Sequence, residues 1–190
     1  MRKLLILAVL SAMLPAAETS SLERARQHYE RGEYKKASDI LEQAVRQSPS
    51  DFELHLWLGR AYGRRAETSS FFTAPGLAVK SRRSFEQAVA LNPKSREAGG
   101  DLLDYYLGAP GFLGGGIDKA RALAEKLKDA DPPEYHYRMA QIAIKLKDSK
   151  AAEEHFRRAL DMEPASEGRR KDLAAFLAKQ GRSVESHADR

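Results

Sequence analysis

The densest run of residues able to do chemistry is Gly111-Phe112-Leu113-Gly114-Gly115-Gly116-Ile117-Asp118-Lys119. Glycines ahead of a lysine suit a phosphate cradle, because bare backbone N–H groups can close on phosphoryl oxygens while the ammonium follows. That cradle needs Lys directly after its last glycine and Ser or Thr next, yet Ile117 and Asp118 hold those places. A dinucleotide fingerprint fails as well, with Lys119 where its third glycine belongs. Both motifs also follow a strand, whereas this stretch joins two helical patterns. A helix start can hold an anion through its free N–H groups, but Asp118 sits there and repels one. The segment reads as a turn.

The remaining chemistry is sparse. The histidines are His28, His55, His136, His155 and His187, and no two lie three or four apart, so no single helix face offers an imidazole pair to a metal. His28 takes the place of a packing aromatic, and His155 is expected to be half-exposed beside Phe156. Neither His-Glu-x-x-His nor Gly-x-Ser-x-Gly occurs. Cysteine is absent, which excludes disulfides, thiolate metal sites, a Cys nucleophile and a lipidated N-terminal Cys. Glu153-Glu154 and Arg157-Arg158 fit i,i+4 ion pairs on a solvated face. No catalytic residue, metal ligand or cofactor site is assigned, and the reading is of a protein that is not an enzyme.

The elements that would position any site come from a repeat. Ala37-Ser38-Asp39-Ile40-Leu41-Glu42-Gln43-Ala44-Val45 precedes Pro49, and Ser84-Phe85-Glu86-Gln87-Ala88-Val89-Ala90-Leu91 precedes Pro93. Ala120 to Leu127 precedes Pro132, and Ala151 to Leu160 precedes Pro164. Each is a helix with small and large apolar residues at fixed offsets, ended by a proline that lacks an N–H and restricts its predecessor. Each follows another helix, as in Leu58-Gly59-Arg60-Ala61-Tyr62 and Met139-Ala140, and Gly32 marks a turn between two of them. Gly59, Ala37, Ala140 and Ala152 sit where paired helices cross closely. Phe85 and Phe156 are expected to fill the space between neighbouring repeats.

This pattern resembles the tetratricopeptide-repeat (TPR) family over nearly all of residues 19–165. The resemblance implies an all-α, TPR-type helical solenoid of about four helix pairs plus a C-terminal capping helix near residues 168–180. In that helix Leu173, Phe176 and Leu177 would face inward and Arg169, Arg170, Lys171 and Lys179 elsewhere. The prolines are spaced by 44, 39 and 32 residues, against a usual period of about 34. Repeats two and three therefore carry enlarged loops between their A and B helices, near residues 67–78 and 108–116. Each loop contains Ala-Pro-Gly and an apolar residue, with Phe71, Phe72 and Pro75 in the first and Pro110 and Phe112 in the second. These aromatics either extend the core or form an apolar binding ridge. The insert pattern is similar to that of exported bacterial TPR proteins.

Export has its own signal. Arg2 and Lys3 precede the apolar run Leu4–Leu14, then Pro15-Ala16-Ala17, the order of a secretory signal peptide. The expected organisation is a signal peptide at 1–17, the array at 18–181 and a flexible tail at 182–190, in a periplasmic or secreted protein without a stable membrane span. The chain carries a net charge of +5, of which Arg2 and Lys3 supply two, so charge does not point to nucleic acid. The TPR resemblance implies a concave groove lined by the first helix of each pair. There it places Arg26, Tyr29, Arg60, Arg64, Asp104, Tyr137, Gln141 and Lys145. No groove asparagine accompanies the arginines, so the Lys/Asn clamp for a C-terminal carboxylate is not supported. The expected partner is a protein or peptide held by the groove, the insert loops or both; the alternative is an assembly subunit that oligomerises through the array edges.

Overall fold

The computed structural model describes residues 14–182, those before residue 21 by backbone alone. Residues 1–13 of the expected signal peptide and 183–190 of the expected tail lie outside the described residues. Every regular element described is helical: α1 (Leu14–Glu30), α2 (Tyr34–Gln47), α3 (Phe52–Glu67), α4 (Ala74–Leu91), α5 (Arg96–Gly108), α6 (Ile117–Glu125), α7 (Pro132–Lys145), α8 (Ser149–Met162) and α9 (Glu167–Ala178). The helices that four pairs and a final helix require are all present among the described residues. None of these helices is long and apolar enough to cross a membrane.

Local chemistry explains where the helices start and stop. Asp51, Asp131, Asp148 and Ser166 accept from backbone N–H groups in the first turns of α3, α7, α8 and α9. Such caps satisfy donors that no helix can satisfy internally. The chain leaves α2, α4 and α8 just before Pro49, Pro93 and Pro164, as the prolines require. The turn between α1 and α2 passes through Gly32 at φ 75°, whereas the corresponding turn after α7 uses Lys147 at φ 61°, a conformation L-residues rarely adopt.

The chain divides into two compact units, residues up to Ala98 and from Gly99 onward, with the boundary inside α5. In the first, α1 packs on α2, α2 on α3 and α3 on α4, around Leu22, Ala25, Ala37, Leu41, Leu54, Leu58 and Tyr62. The α3–α4 crossing is so close that a Cβ on Gly59 would lie 2.5 Å from the Phe85 ring. Phe85 therefore fills space within its own helix pair. Ser81 Oγ donates to the Gly59 carbonyl at 2.8 Å across the same crossing.

In the second unit α6 packs on α7, α7 on α8 and α8 on α9. Phe156 is buried with Ala140, Leu173 and Leu177. Arg169 departs from the expected polar backing of the last helix. It is buried, donates to Glu134 Oε2 at 3.0 Å and lies 3.3 Å from Glu163. Arg138, one turn after Glu134, pairs with its other oxygen at 2.7 Å. A helix that looks basic on its outer face thus sends one arginine inward, because Glu134 is already there to neutralise it.

Candidate functional site

In the first unit, α1 and α3 carry side chains that assemble into one polar and aromatic surface. The ring of Trp57 on α3 carries two guanidiniums: Arg26 of α1 and Arg60 of α3 each sit 4.8 Å from its ring centre. Arg60 is on the Trp57 face because the two are three residues apart on one helix. The Tyr29 ring meets Trp57 edge-on at 5.5 Å and Tyr34 edge-on at 5.2 Å. Arg64, one turn beyond Arg60, covers Tyr34 at 5.3 Å. The surface is thus a continuous ladder in which three touching rings, Trp57, Tyr29 and Tyr34, carry guanidiniums at both ends, an arrangement in which a guanidinium is attracted to the ring quadrupole.

Carboxylates stand at the outer end of each cation. Arg26 donates to Glu53 at 3.1 Å and Arg60 to Glu97 at 2.8 Å, and Arg64 pairs with Glu67. Glu97 is 62% exposed in its side chain and Glu53 45%, so these pairs lie at the water boundary. Such pairs contribute about 0–1 kcal/mol each and can be exchanged for an incoming anion at little cost. At the foot of the ladder Glu33 accepts from Lys36 at 2.7 Å and meets His28 Nδ1 at 2.5 Å. First the Lys36 bond and then the His28 bond hold this carboxyl at about 2. His28 is therefore a polar partner of Glu33, not a packing ring.

The two inserts take different forms. In the first, only residues 68–73 form a loop; Ala74-Pro75-Gly76-Leu77 is the opening turn of α4, with Pro75 at its start. Proline fits there because the first helical N–H groups have no partner to lose. Phe71 and Phe72 stand on the loop 85% and 90% exposed and contact each other edge-on at 5.8 Å. The loop is stiffened by Ser70, whose carbonyl accepts from the N–H groups of Thr73 and Ala74, both at 3.0 Å. In the second insert Pro110 is extended and precedes a single 3-10 turn, Gly111–Leu113, which leaves Phe112 83% exposed. The aromatic residues of both inserts project into solvent and do not extend the core.

The glycine run closes on itself. A Cβ on Gly115 would lie 1.9 Å from the Ala109 carbonyl oxygen, so backbone meets backbone there. Gly114 and Gly116 have φ of 90° and 143°. Lys119 donates to the Gly114 carbonyl at 2.9 Å, so the lysine that suggested a phosphate cradle braces the turn.

Residues 25–65 match the TPR repeat family model and residues 133–166 the tetratricopeptide repeat model. The chain carries tetratricopeptide repeats. Among solved structures it is similar to the human IFIT1 dimer with PPP-AAAA, at 20% identity and a TM-score of 0.66, over 86% of this chain and 38% of that one. MamA RS-1, an ArsTM double mutant, is 16% identical with a TM-score of 0.55 over 86% and 84% of the two chains. MamA MSR-1 is 22% identical with a TM-score of 0.50 over 87% of each. These likenesses concern the fold. The chain spans well under half the length of IFIT1. No curated protein matches its sequence.

Of the groove positions that the TPR frame implied, Arg26, Tyr29, Arg60 and Arg64 come together in the first unit. The second unit places the others less uniformly. Tyr137 is half-buried: its hydroxyl donates to Asp172 at 2.6 Å and its ring packs on Phe156 at 5.8 Å. Burial, and then the Asp172 bond, raise this phenol well above its usual range. Gln141 is half-buried, and Asp104 and Lys145 are exposed. Sequence reasoning missed Trp57 and Tyr34, although the three-residue step from Trp57 to Arg60 was a usable signal. It also missed a meeting of His136 on α7 with His155 on α8, whose Nδ1 atoms are 2.9 Å apart. Burial lowers the pKa of both rings.

Proposed function

We propose that this TPR protein is a binding scaffold that holds an acidic segment of a protein on the ladder of α1 and α3. TPR folds mediate protein–protein interaction, and the observation that carries the finer reading is the Arg26–Trp57–Arg60 stack. It offers two guanidiniums pre-oriented on one ring, and three arginines in all, each paired with a solvent-accessible glutamate of the same chain. Those glutamates occupy the places that a ligand's carboxylates would take. Guanidinium forks match carboxylates in two-point geometry, while Tyr29 and Trp57 supply rigid contact area of the kind enriched at binding hot spots. The exposed Phe71-Phe72 and Phe112 loops are further contact points of the same scaffold. Export to the periplasm or beyond, led by Arg2, Lys3 and the apolar run Leu4–Leu14, belongs to this reading. So does a non-enzymatic role.

A second reading comes from IFIT1, whose structure holds PPP-AAAA: stacked arginines and rings also suit a single-stranded nucleic acid. One experiment separates the two. Trp57 is the chain's single tryptophan, so its fluorescence reports directly on the ladder. Glutamate-rich peptides are expected to change that emission saturably, and Arg60→Glu to weaken them at least tenfold. A response to RNA oligonucleotides alone would move the ladder to the second reading. No response to either would remove the ladder from function, and a concentration-dependent mass would then favour an assembly subunit.

A further inference from the structure

His136 and His155 belong to neither the ladder nor the loops. Their Nδ1 atoms face each other at 2.9 Å, and their ring centres stand 5.1 Å apart with the planes tilted by 35°. Tyr135 walls one side, its ring centre 5.1 Å from that of His136 and 6.4 Å from that of His155. Two neutral imidazoles in this position share one proton, one Nδ1–H donating and the other nitrogen accepting. When the donor ring carries its proton on Nε2 instead, two lone pairs from two helices converge on one point. A tetrahedral ion holding imidazole nitrogens at about 2.0–2.1 Å sets those nitrogens about 3.3 Å apart and the ring centres about 5.2 Å apart. The centres here already have that separation, so a small swing of each ring opens the nitrogens to the required span. A square arrangement with adjacent imidazoles would draw the centres in to about 4.5 Å, which needs the helices themselves to move.

We propose that His136 and His155 form a two-point chelate for a divalent cation of the zinc class, with Nδ1 of each ring as ligand. No group of three or more acidic, imidazole or thiol ligands that could hold a metal exists among the described residues, so water completes the coordination sphere. The nearby cation Arg158 is paired with Glu154 at 2.6 Å, which keeps its charge from standing alone beside the ion. Chelation ties α7 to α8 through a contact that otherwise depends on one proton.

The test is a titration of the full, untagged chain with zinc chloride, read by histidine-selective NMR and by thermal melting. One equivalent is expected to shift the His136 and His155 ring signals together and to raise the melting temperature. His136→Ala and His155→Ala should each abolish both effects, whereas His55→Ala and His187→Ala should keep them. If an alanine variant fails to fold, by circular dichroism, His136→Gln and His155→Gln take its place, since they retain polarity and bulk. Binding that survives loss of either histidine would overturn the proposal, as would unperturbed ring signals at large zinc excess. Zinc-driven dimers in sedimentation would overturn it too, since the chelate lies within one chain.

Discussion

At the residue scale the chain shows how one carboxylate can be held by neighbours in water. Glu33 lies at the turn from α1 to α2, with Lys36 and His28 on its two oxygens. Its carboxyl is lowered to about 2, so on acidification the unfolded chain takes up this proton first. The stabilisation is therefore complete above the ordinary carboxylate value of about 4.5 and is lost as pH falls from there toward about 2. We expect the Glu33 side-chain NMR signal to titrate well below those of other exposed glutamates, and Lys36→Met to bring it back toward them. A Glu33 midpoint in the ordinary range would show that the two bonds do not persist in solution. Neither bond was legible in the sequence, where His28 read as a packing ring. Helical spacing tells which face a residue occupies but not which polar group across a turn will meet it. The same limit hid the 2.9 Å contact of His136 with His155, since those residues lie on different helices.

At the element scale the helix pairs were legible because close crossing has a compositional cost: something small must sit at the contact. Gly59 is the sharpest case, with the Phe85 ring 2.5 Å from where a Cβ would be. Gly59→Ala is expected to destabilise the fold by about 1–3 kcal/mol, the usual cost of overpacking. Gly76→Ala, in the open first turn of α4 with nothing within 4 Å, should be neutral or stabilise by up to about 1 kcal/mol. Urea melts of the two variants check the pair, and equal stabilities would refute the close crossing. The inserts were less legible. Ala-Pro-Gly occurs in both, and composition alone reads both as loop. Yet Pro75 opens a helix because an apolar face follows it, with Leu77 packed on the first core. Pro110 instead enters a turn closed by glycines. The same tripeptide goes two ways because the residues after it, not the tripeptide, decide whether a helix has something to bury. The ladder was half legible: the helical frame placed its arginines and Tyr29, while Trp57, three residues before Arg60 on the same helix, and Tyr34, at the start of α2, were recognised only from the contacts they make.

At the scale of the whole molecule, a repeat protein's stability is a sum of local terms and nearest-neighbour interfaces. Damage to one pair should then be felt by the helices packed directly on it. Phe156 offers a test, because it is buried with Ala140 of α7 and with Leu173 and Leu177 of α9. Removing its ring should cost about 3–5 kcal/mol, an appreciable share of the roughly 5–15 kcal/mol that holds a typical domain. In native-state hydrogen exchange, Phe156→Ala is expected to accelerate the amides of α7, α8 and α9. Those of α1 to α4, which pack on one another around Leu41, Leu54 and Leu58, should keep their parental protection. The functional consequence follows from the same locality: Trp57 fluorescence should still respond to acidic peptides in this variant with unchanged affinity. Uniform acceleration across all helices would mean that the chain opens as one cooperative body. The ladder of α1 and α3 would then depend on packing far along the sequence, and its affinity should fall with the stability of the whole.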